Sequence, residues 1–369
     1  MKSKKVIAAG HICLDITPVF PAARKYSGAD DLLVPGKLIY MDPADVHTGG
    51  SVANTGLALK ILGNDVTLMG KIGDDAFGRM VEQILSEYDV GGLLVDSESS
   101  TSYSVVLAIP GVDRIFLHNP GANDTFTGRD IPEEALEDTI LFHFGYPPLM
   151  KKMYENGGKE LAGIFARMKN KGIATSMDLA AVDPASEAGQ VDWEIILSHV
   201  LPYVDFFVPS FEELCLMLDR ANYERLTSFG GEMIRHLDVE RDVKPLAQKS
   251  LDMGAKAILI KCGTAGMYYL TGDMTGIGSR LELNPLEWSH QEGVQSCFKA
   301  DIVRSATGAG DTSIAAFLTG VLQGKGPGLC VALAAAEGAC TVTSYDALSG
   351  LKSIQELEKR ISAGWNLEE

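Results

Sequence analysis

The sequence predicts an α/β fold: a doubly wound, mostly parallel sheet with helices on both faces, plus a small antiparallel β lid. Three observations predict it. Short apolar runs of strand length alternate with helix-length segments through most of the chain, the pattern of a parallel sheet covered on both sides. Two stretches, 12–48 and 101–120, break that alternation with β-type content. From Ala309 onward the apolar spacing is mostly helical. With 369 residues, 46% of them hydrophobic, the chain can bury one large core or two modest ones.

Taken in order, Val6–Gly10 reads as the opening strand, followed by a helix over Ser51–Leu62, a strand over Val66–Gly70 and a helix over Asp75–Tyr88. Ile140–Phe144 reads as a strand, and the apolar spacing over Met150–Lys171 predicts one long helix. Ile173–Asp178, Val204–Val208 and Ala257–Lys261 follow as strands, with a helix over Phe211–Leu218. Residues 12–48 lack helical spacing and are rich in Pro, Gly and Asp, whereas 101–120 reads as a hairpin turning at Pro110-Gly111-Val112-Asp113. These two pieces can pair into one small sheet serving as a lid. The division is then a core of residues 1–11, 49–100 and 121–369, with 12–48 and 101–120 forming the lid. The polar stretches 220–250 and 272–300 read as irregular surface insertions.

Composition excludes several classes of function. A net charge of −17, with a pI near 4.9, disfavours nucleic acid and anionic membranes as partners, since either needs a basic face. No apolar run reaches transmembrane length, and the N-terminal MKSKKVIAAGHICLD lacks the pattern of a signal peptide, so the chain reads as cytoplasmic. The six cysteines show no C-x-x-C spacing and read as reduced core residues. The seven histidines show no H-x-x-x-H spacing, which gives zinc chemistry no support.

The most informative stretch is Ser305–Leu318, SATGAGDTSIAAFL. Small residues Ala306, Gly308, Ala309 and Gly310 lead into Asp311, and apolar helical spacing begins at Ile314. A glycine-rich turn that opens a helix presents several backbone N–H groups in one direction, which with the helix dipole make a pocket for an anion. A carboxylate beside such a pocket suits a base that deprotonates a hydroxyl while the pocket holds a phosphoryl group. The same residues alone equally suit a glycine-rich helix start with an acid favoured by the dipole. Two other phosphate-binding patterns fail on spelling. In Gly308–Ser313 the third glycine of G-x-G-x-x-G is Ser313, and the position near the C-terminus is wrong for a first βαβ unit. Each Gly-Lys pair in the chain is followed by Leu, Ile, Glu or Gly, never by the Ser or Thr of a Walker A loop.

A second glycine cluster, Gly49-Gly50-Ser51-Val52-Ala53-Asn54, opens the first helix, and Gly70, Gly73, Asp75 (or Asp74) and Gly78 follow. In order and spacing, these motifs and Ser305–Asp311 resemble the two signatures of the PfkB, or ribokinase-like, family of carbohydrate kinases. The resemblance covers nearly the whole chain. It implies a ribokinase-like core with a β lid over the sugar, and an ATP-dependent phosphotransferase acting on a hydroxyl of a monosaccharide or sugar acid. It implies that Asp311 is the general base and that Gly308, Ala309 and Gly310 form the anion hole. It assigns Asp15, Gly49, Gly50 and Asn54 to the sugar, with Arg114 and Asn123 at the hairpin and its return into the sugar site. It assigns Lys261, Gly263, Thr264 and Gly266 to the nucleotide strand-turn, and Glu213 to indirect contact with Mg²⁺. The adenine pocket is expected around Ala335–Thr343, and a homodimer through the lid is expected from the pairing of lid sheets in relatives.

Two departures from the family pattern matter. Ser210 stands where the N-x-x-E motif has Asn, which implies altered magnesium handling. Ser305 stands where relatives carry an Asp that helps hold an activating monovalent cation, so potassium activation is not predicted. A nucleoside kinase and a catalytically silent sugar or nucleotide sensor are the alternatives on the same fold; an NAD-dependent oxidoreductase is a more distant one.

Overall fold

A computed structural model describes residues 5–21, 34–109 and 114–368. The predicted hairpin turn at 110–113 and part of the 12–48 lid segment lie outside the described residues. An eight-stranded sheet runs in the order Glu292–Gln295, Met267–Thr271, Ala257–Lys261, Phe206–Phe207, Ala174–Met177, Thr139–Gly145, Lys5–Gly10 and Asp65–Met69. The last six strands pair in parallel, and the first two complete the sheet as antiparallel additions. The parallel strands are buried almost throughout, because helices cover both faces. One apolar layer packs the helices Ser51–Ile61, Ala309–Leu322 and Pro327–Thr341 on the sheet; the other packs Lys159–Asn170, Trp193–Val200 and Phe211–Leu218.

The lid is a second sheet, in the order Asp42–Gly49, Cys13–Val19, Tyr103–Leu107 and Ile115–Asn119. Its outer pairs are antiparallel and its central pair is parallel, with Leu14 opposite Tyr103 and Asp15 opposite Ser104. The two sequence-distant segments therefore do join.

Three expectations are corrected. The long helix over Met150–Lys171 is broken: Lys151–Tyr154 and Lys159–Asn170 are separated by Asn156 and Gly157 at φ 54° and 69°. Left-handed backbone interrupts the hydrogen-bond ladder, and the Asn-Gly-Gly run supplies it cheaply. Residues 220–250 are largely helical (Arg220–Thr227 and Lys244–Asp252), their polar faces turned to solvent and Leu226, Leu246 and Ala247 packed inward. Residues 272–300 contain the edge strand Glu292–Gln295, whose alternating half-exposed pattern carries too little apolar signal to be legible.

Candidate active site

The site lies at the carboxyl ends of the parallel strands, where open α/β sheets bind ligands. His11 follows Lys5–Gly10, Tyr146 follows Thr139–Gly145, Asp178 follows Ala174–Met177, and Lys261 ends Ala257–Lys261. The first turn of the helix Ala309–Leu322 meets them, and its N-cap Gly308 takes φ 72°. Gly308 is also required sterically, since a β-carbon there would overlap Ala347.

Asp311 sits in that first turn, only 3% exposed, and both its oxygens are engaged. Oδ2 accepts from Tyr146 OH (2.8 Å) and Asn54 Nδ2 (3.0 Å), and Oδ1 accepts from Thr55 Oγ1 (3.1 Å). Three donors from two other elements thus fix the direction of this carboxylate. The acid at a helix start is therefore part of a built cluster rather than a simple cap. Tyr146 holds a left-handed backbone (φ 61°), an uncommon conformation for a residue with a β-carbon, and burial followed by the Asp311 charge pushes its phenol well above the usual tyrosine value.

On one side of Asp311 lies a charged group. The Lys261 Nζ is 2.9 Å from Asp178 Oδ1, and both side chains are nearly buried. The ammonium also lies 3.6 Å from where a β-carbon on Gly310 would stand, next to the helix start. Burial opposes the Lys261 charge, but the carboxylates of Asp178, Glu213 and Asp311 outweigh it and hold the lysine above its ordinary value. Burial raises the Asp178 carboxyl, with Lys261 pulling it back and Glu213 and Asp311 adding to the rise. Glu213 closes a capping box with Ser210: Ser210 N–H donates to Glu213 Oε2 (2.9 Å), and Glu213 N–H donates to Ser210 Oγ (3.4 Å). The turn after Lys261 closes when Cys262 N–H donates to Gly266 O (2.8 Å); it carries Gly263 at φ 53° and an exposed Thr264. Among the described residues no group of three or more His, Cys, Asp or Glu has metal-binding geometry.

On the other side lie the lid and the first helix. Asp15 points from Cys13–Val19 onto Gly49, where a β-carbon would overlap its carboxylate. Burial raises the Asp15 carboxyl, hydrogen bonds from Cys13 and Ser104 pull it back, and the Asp311 charge raises it again. Gly50, at φ 83°, would put a β-carbon 2.6 Å from His11 Nδ1. These adjacent glycines are therefore the room taken by two side chains. Arg114 donates from Nη1 to Thr307 Oγ1 and lies 5.8 Å over the Phe116 ring, tying the lid to the glycine turn. Ser305 Oγ in turn donates to Thr307 Oγ1 (2.8 Å) and accepts from Thr307 N–H (3.1 Å).

The structure brings Asp311, Gly308, Ala309, Gly310, Lys261, Asp15, Gly49, Gly50 and Asn54 into one cluster, with Glu213 in electrostatic reach. Three assignments change. Asn123 is fully buried as a clamp: Ile12 N–H donates to its Oδ1 (3.1 Å), and its Nδ2 donates to Ile12 O (2.9 Å) and Pro120 O (3.0 Å). Its amide protons are spent on backbone, so it orients the His11–Asp15 loop rather than a ligand. Asn54 turns its Nδ2 to Asp311 rather than outward. Arg114 reaches the glycine turn, a different place from the sugar side expected of it. Sequence reasoning missed Tyr146, Thr55, Asp178 and His11. His11, Tyr146 and Asp178 were discoverable as polar residues at or just after the ends of predicted buried strands; Thr55 carried no such signal.

The family model for pfkB family carbohydrate kinases matches residues 22–354. The chain belongs to this family. It is similar to fructokinase-1 of Oryza sativa subsp. japonica, 25% identical across 97% of this chain and 98% of that protein. The structure of Arabidopsis thaliana ribokinase complexed with ribose and ATP superposes with a TM-score of 0.68 over 97% of this chain and 98% of that one, at 18% identity. A putative ribokinase II from E. coli in complex with ATP and Mg²⁺ also gives 0.68, over 98% and 99%, at 18% identity. The fold is ribokinase-like, and the enzyme is a sugar kinase of the ribokinase and fructokinase type. No helix among the described residues is long and apolar enough to cross a membrane.

Proposed function

We propose that this chain transfers the γ-phosphoryl group of ATP to a hydroxyl of a monosaccharide or sugar acid, with Asp311 as general base. The observation that carries the reading is a nearly buried aspartate held by three donors beside a glycine-led helix start and a buried ammonium. The acceptor oxygen forms a bond to the γ-phosphorus as its O–H breaks. The bond from γ-phosphorus to the bridging oxygen breaks, its electron pair leaves with ADP, and Asp311 takes the proton. The N–H groups of residues 308–310 and the Lys261 ammonium face the transferring group and stabilise its charge. Magnesium would be carried by the nucleotide phosphates and water, with Glu213 and Asp178, the carboxylates that surround Lys261, in outer contact. When bound, Mg²⁺ neutralises phosphate charge.

A cavity of about 330 Å³, lined by Ile302, Arg304, Ala339, Cys340, Thr343 and Trp365 among others, supports the adenine position expected along Ala335–Thr343. The edges of the lid remain the surface through which a dimer would form. The test is ADP release with ATP against ribose, fructose, adenosine and 2-keto-3-deoxygluconate. Release dependent on a sugar supports the kinase; no release with any acceptor sinks it, and release with adenosine alone moves the reading to a nucleoside kinase.

A further inference from the structure

Two buried histidines lie close to this cluster, and they differ in one respect. His143 is fully buried with both ring nitrogens partnered, Nε2 with Ser51 Oγ (3.4 Å) and Nδ1 with Ser176 Oγ (3.1 Å). His11 is 2% exposed, and neither Nδ1 nor Nε2 has a hydrogen-bond partner. Buried polar atoms without partners are rare and costly. A neutral imidazole carries one donor and one acceptor, so His11 presents both.

The position of this ring is fixed. His11 N–H donates to Gly145 O (3.2 Å), and its carbonyl accepts from Val52 N–H (3.1 Å). Its ring fits against Gly50, lies 6.2 Å from the Tyr146 ring, and meets His118 of the lid at 5.2 Å. Tyr146 binds Asp311, and Ser104 joins His118 (3.0 Å) to the lid strand that carries the partner of Asp15. The two free nitrogens therefore lie on the seam between lid and core, beside the rings of His118 and Tyr146. The carboxylates of Asp15 and Asp311 lie close enough to interact, since the Asp311 charge adds to the rise that burial gives the Asp15 carboxyl. Among the described residues, the Lys261 ammonium is paired with Asp178, and Arg114 donates to Thr307 of the glycine turn.

We propose that His11 is a positioning and specificity residue for the acceptor, giving and receiving hydrogen bonds with hydroxyls of an uncharged polyol. The inference rests on the kinase reading and narrows its acceptor from monosaccharide or sugar acid to neutral sugar. An acidic sugar would bring a further carboxylate beside Asp15 and Asp311, and among the described residues the nearby Lys261 ammonium is already paired with Asp178. Burial, with His118 adding to it, holds the His11 ring down to about 3, so it does not supply a cation at neutral pH.

The experiment compares His11→Ala and His11→Asn with the wild type, using the neutral sugar on which wild-type ADP release is fastest. For His11→Ala the expected result is a rise of roughly 10- to 100-fold in acceptor KM, the loss of one or two hydrogen bonds, with ATP KM within about twofold. His11→Asn, which keeps a donor and an acceptor, recovers part of that loss. Calorimetric titration of the same sugar without ATP weakens in parallel. Unchanged acceptor KM in both variants overturns the inference while leaving the kinase standing. So does an equal rise in both KM values with a lowered melting temperature, which marks a structural role. Faster kcat/KM with 2-keto-3-deoxygluconate than with every neutral sugar overturns the acceptor class. Absence of wild-type ADP release with the whole panel sinks the kinase reading and this inference together.

Discussion

Asp311 divides the site into two unlike halves. The half proposed for the nucleotide, built from Lys261, Asp178 and the helix start at Gly308, carries buried formal charge in a paired state. The half proposed for the acceptor, built from the lid and the first helix, presents Asp15 together with Ser104, His11, His118 and Tyr146. The difference follows the chemistry proposed for each. A phosphoryl group in transfer spreads negative charge, which fixed positive charge and N–H dipoles stabilise without rearrangement. A sugar offers no charge and must be told from its competitors by the direction of its hydroxyls, for which groups that both donate and accept are suited. The two halves meet at one carboxylate because the helices Ser51–Ile61 and Ala309–Leu322 pack together, and Asn54 and Thr55 of the first reach Asp311 of the second.

The largest effect that can break this division belongs to the shared residue. Asp311→Asn is expected to lower kcat by about 10²–10⁴-fold, the usual worth of a general base, with ATP KM changed by less than about threefold. Steady-state ADP release with separate titrations of ATP and sugar measures both. Wild-type kcat in this variant removes Asp311 from the chemistry and leaves the halves without a reason to meet.

Next comes the nucleotide half. Lys261→Met strips the ammonium from beside Gly310 and leaves Asp178 buried and unpaired. Breaking a buried pair from one side costs about 3–5 kcal/mol of stability, and loss of one charge-stabilising donor costs about 10²–10³ in kcat. The double variant Lys261→Met with Asp178→Asn separates these. Its urea midpoint is expected to return most of the way to wild type while kcat stays low. If kcat returns as well, the lysine acts on stability alone, and the charged half has no catalytic meaning.

A smaller effect lies on the boundary. Tyr146→Phe removes one hydroxyl donor to Asp311 Oδ2 and nothing else from the cluster. A hydrogen bond to a charged group is worth about 1.5–3 kcal/mol, so kcat is expected to fall roughly 10- to 100-fold with both KM values near wild type. A change confined to ATP KM would move Tyr146 into the nucleotide half.

Much of this arrangement was legible in the sequence because two features are local. Buried parallel strands declare themselves as short apolar runs, so Ala257–Lys261 was placed to the residue and Lys5–Gly10 to within one. Glycine-rich helix starts do the same, which placed Gly49, Gly50 and Gly308–Asp311. What was hidden depends on contacts across the chain. Nothing near Tyr146 in sequence announces Asp311 as its partner 165 residues away. Asn123 looked like a ligand residue because the resemblance puts Gly121-Ala122-Asn123 at the return of the lid into the sugar site; only the structure shows its amide closed on Ile12, 111 residues away. The break at Asn156-Gly157-Gly158 was passed over because the apolar spacing on either side bridges it. The edge strand Glu292–Gln295 failed for the opposite reason: half its residues face solvent, and its pairing is decided by Met267–Thr271 rather than by its own composition.

The smallest effect tests whether a buried acid belongs to either half at all. Glu337, fully buried in the helix Pro327–Thr341, accepts from Lys352 N–H at Oε1 (3.0 Å), while Oε2 has no partner. Burial pushes its carboxyl up to about 8, with the backbone bond from Lys352 pulling back. The folded protein therefore holds a proton there at pH values where the unfolded chain has released it, and this contribution to stability falls as pH rises from about 4.5 to about 8. Glu337→Gln cannot ionise. Its melting temperature is expected to match wild type at pH 5 and to exceed it by roughly 2–5 °C at pH 8.5, with kcat and both KM values unchanged at each pH. A parallel pair of melting curves across that range would place the ionisation outside the window. A change in ATP KM would instead extend the nucleotide half along this helix, past Ala339 and Cys340, and make the charged half larger than the Lys261 cluster alone.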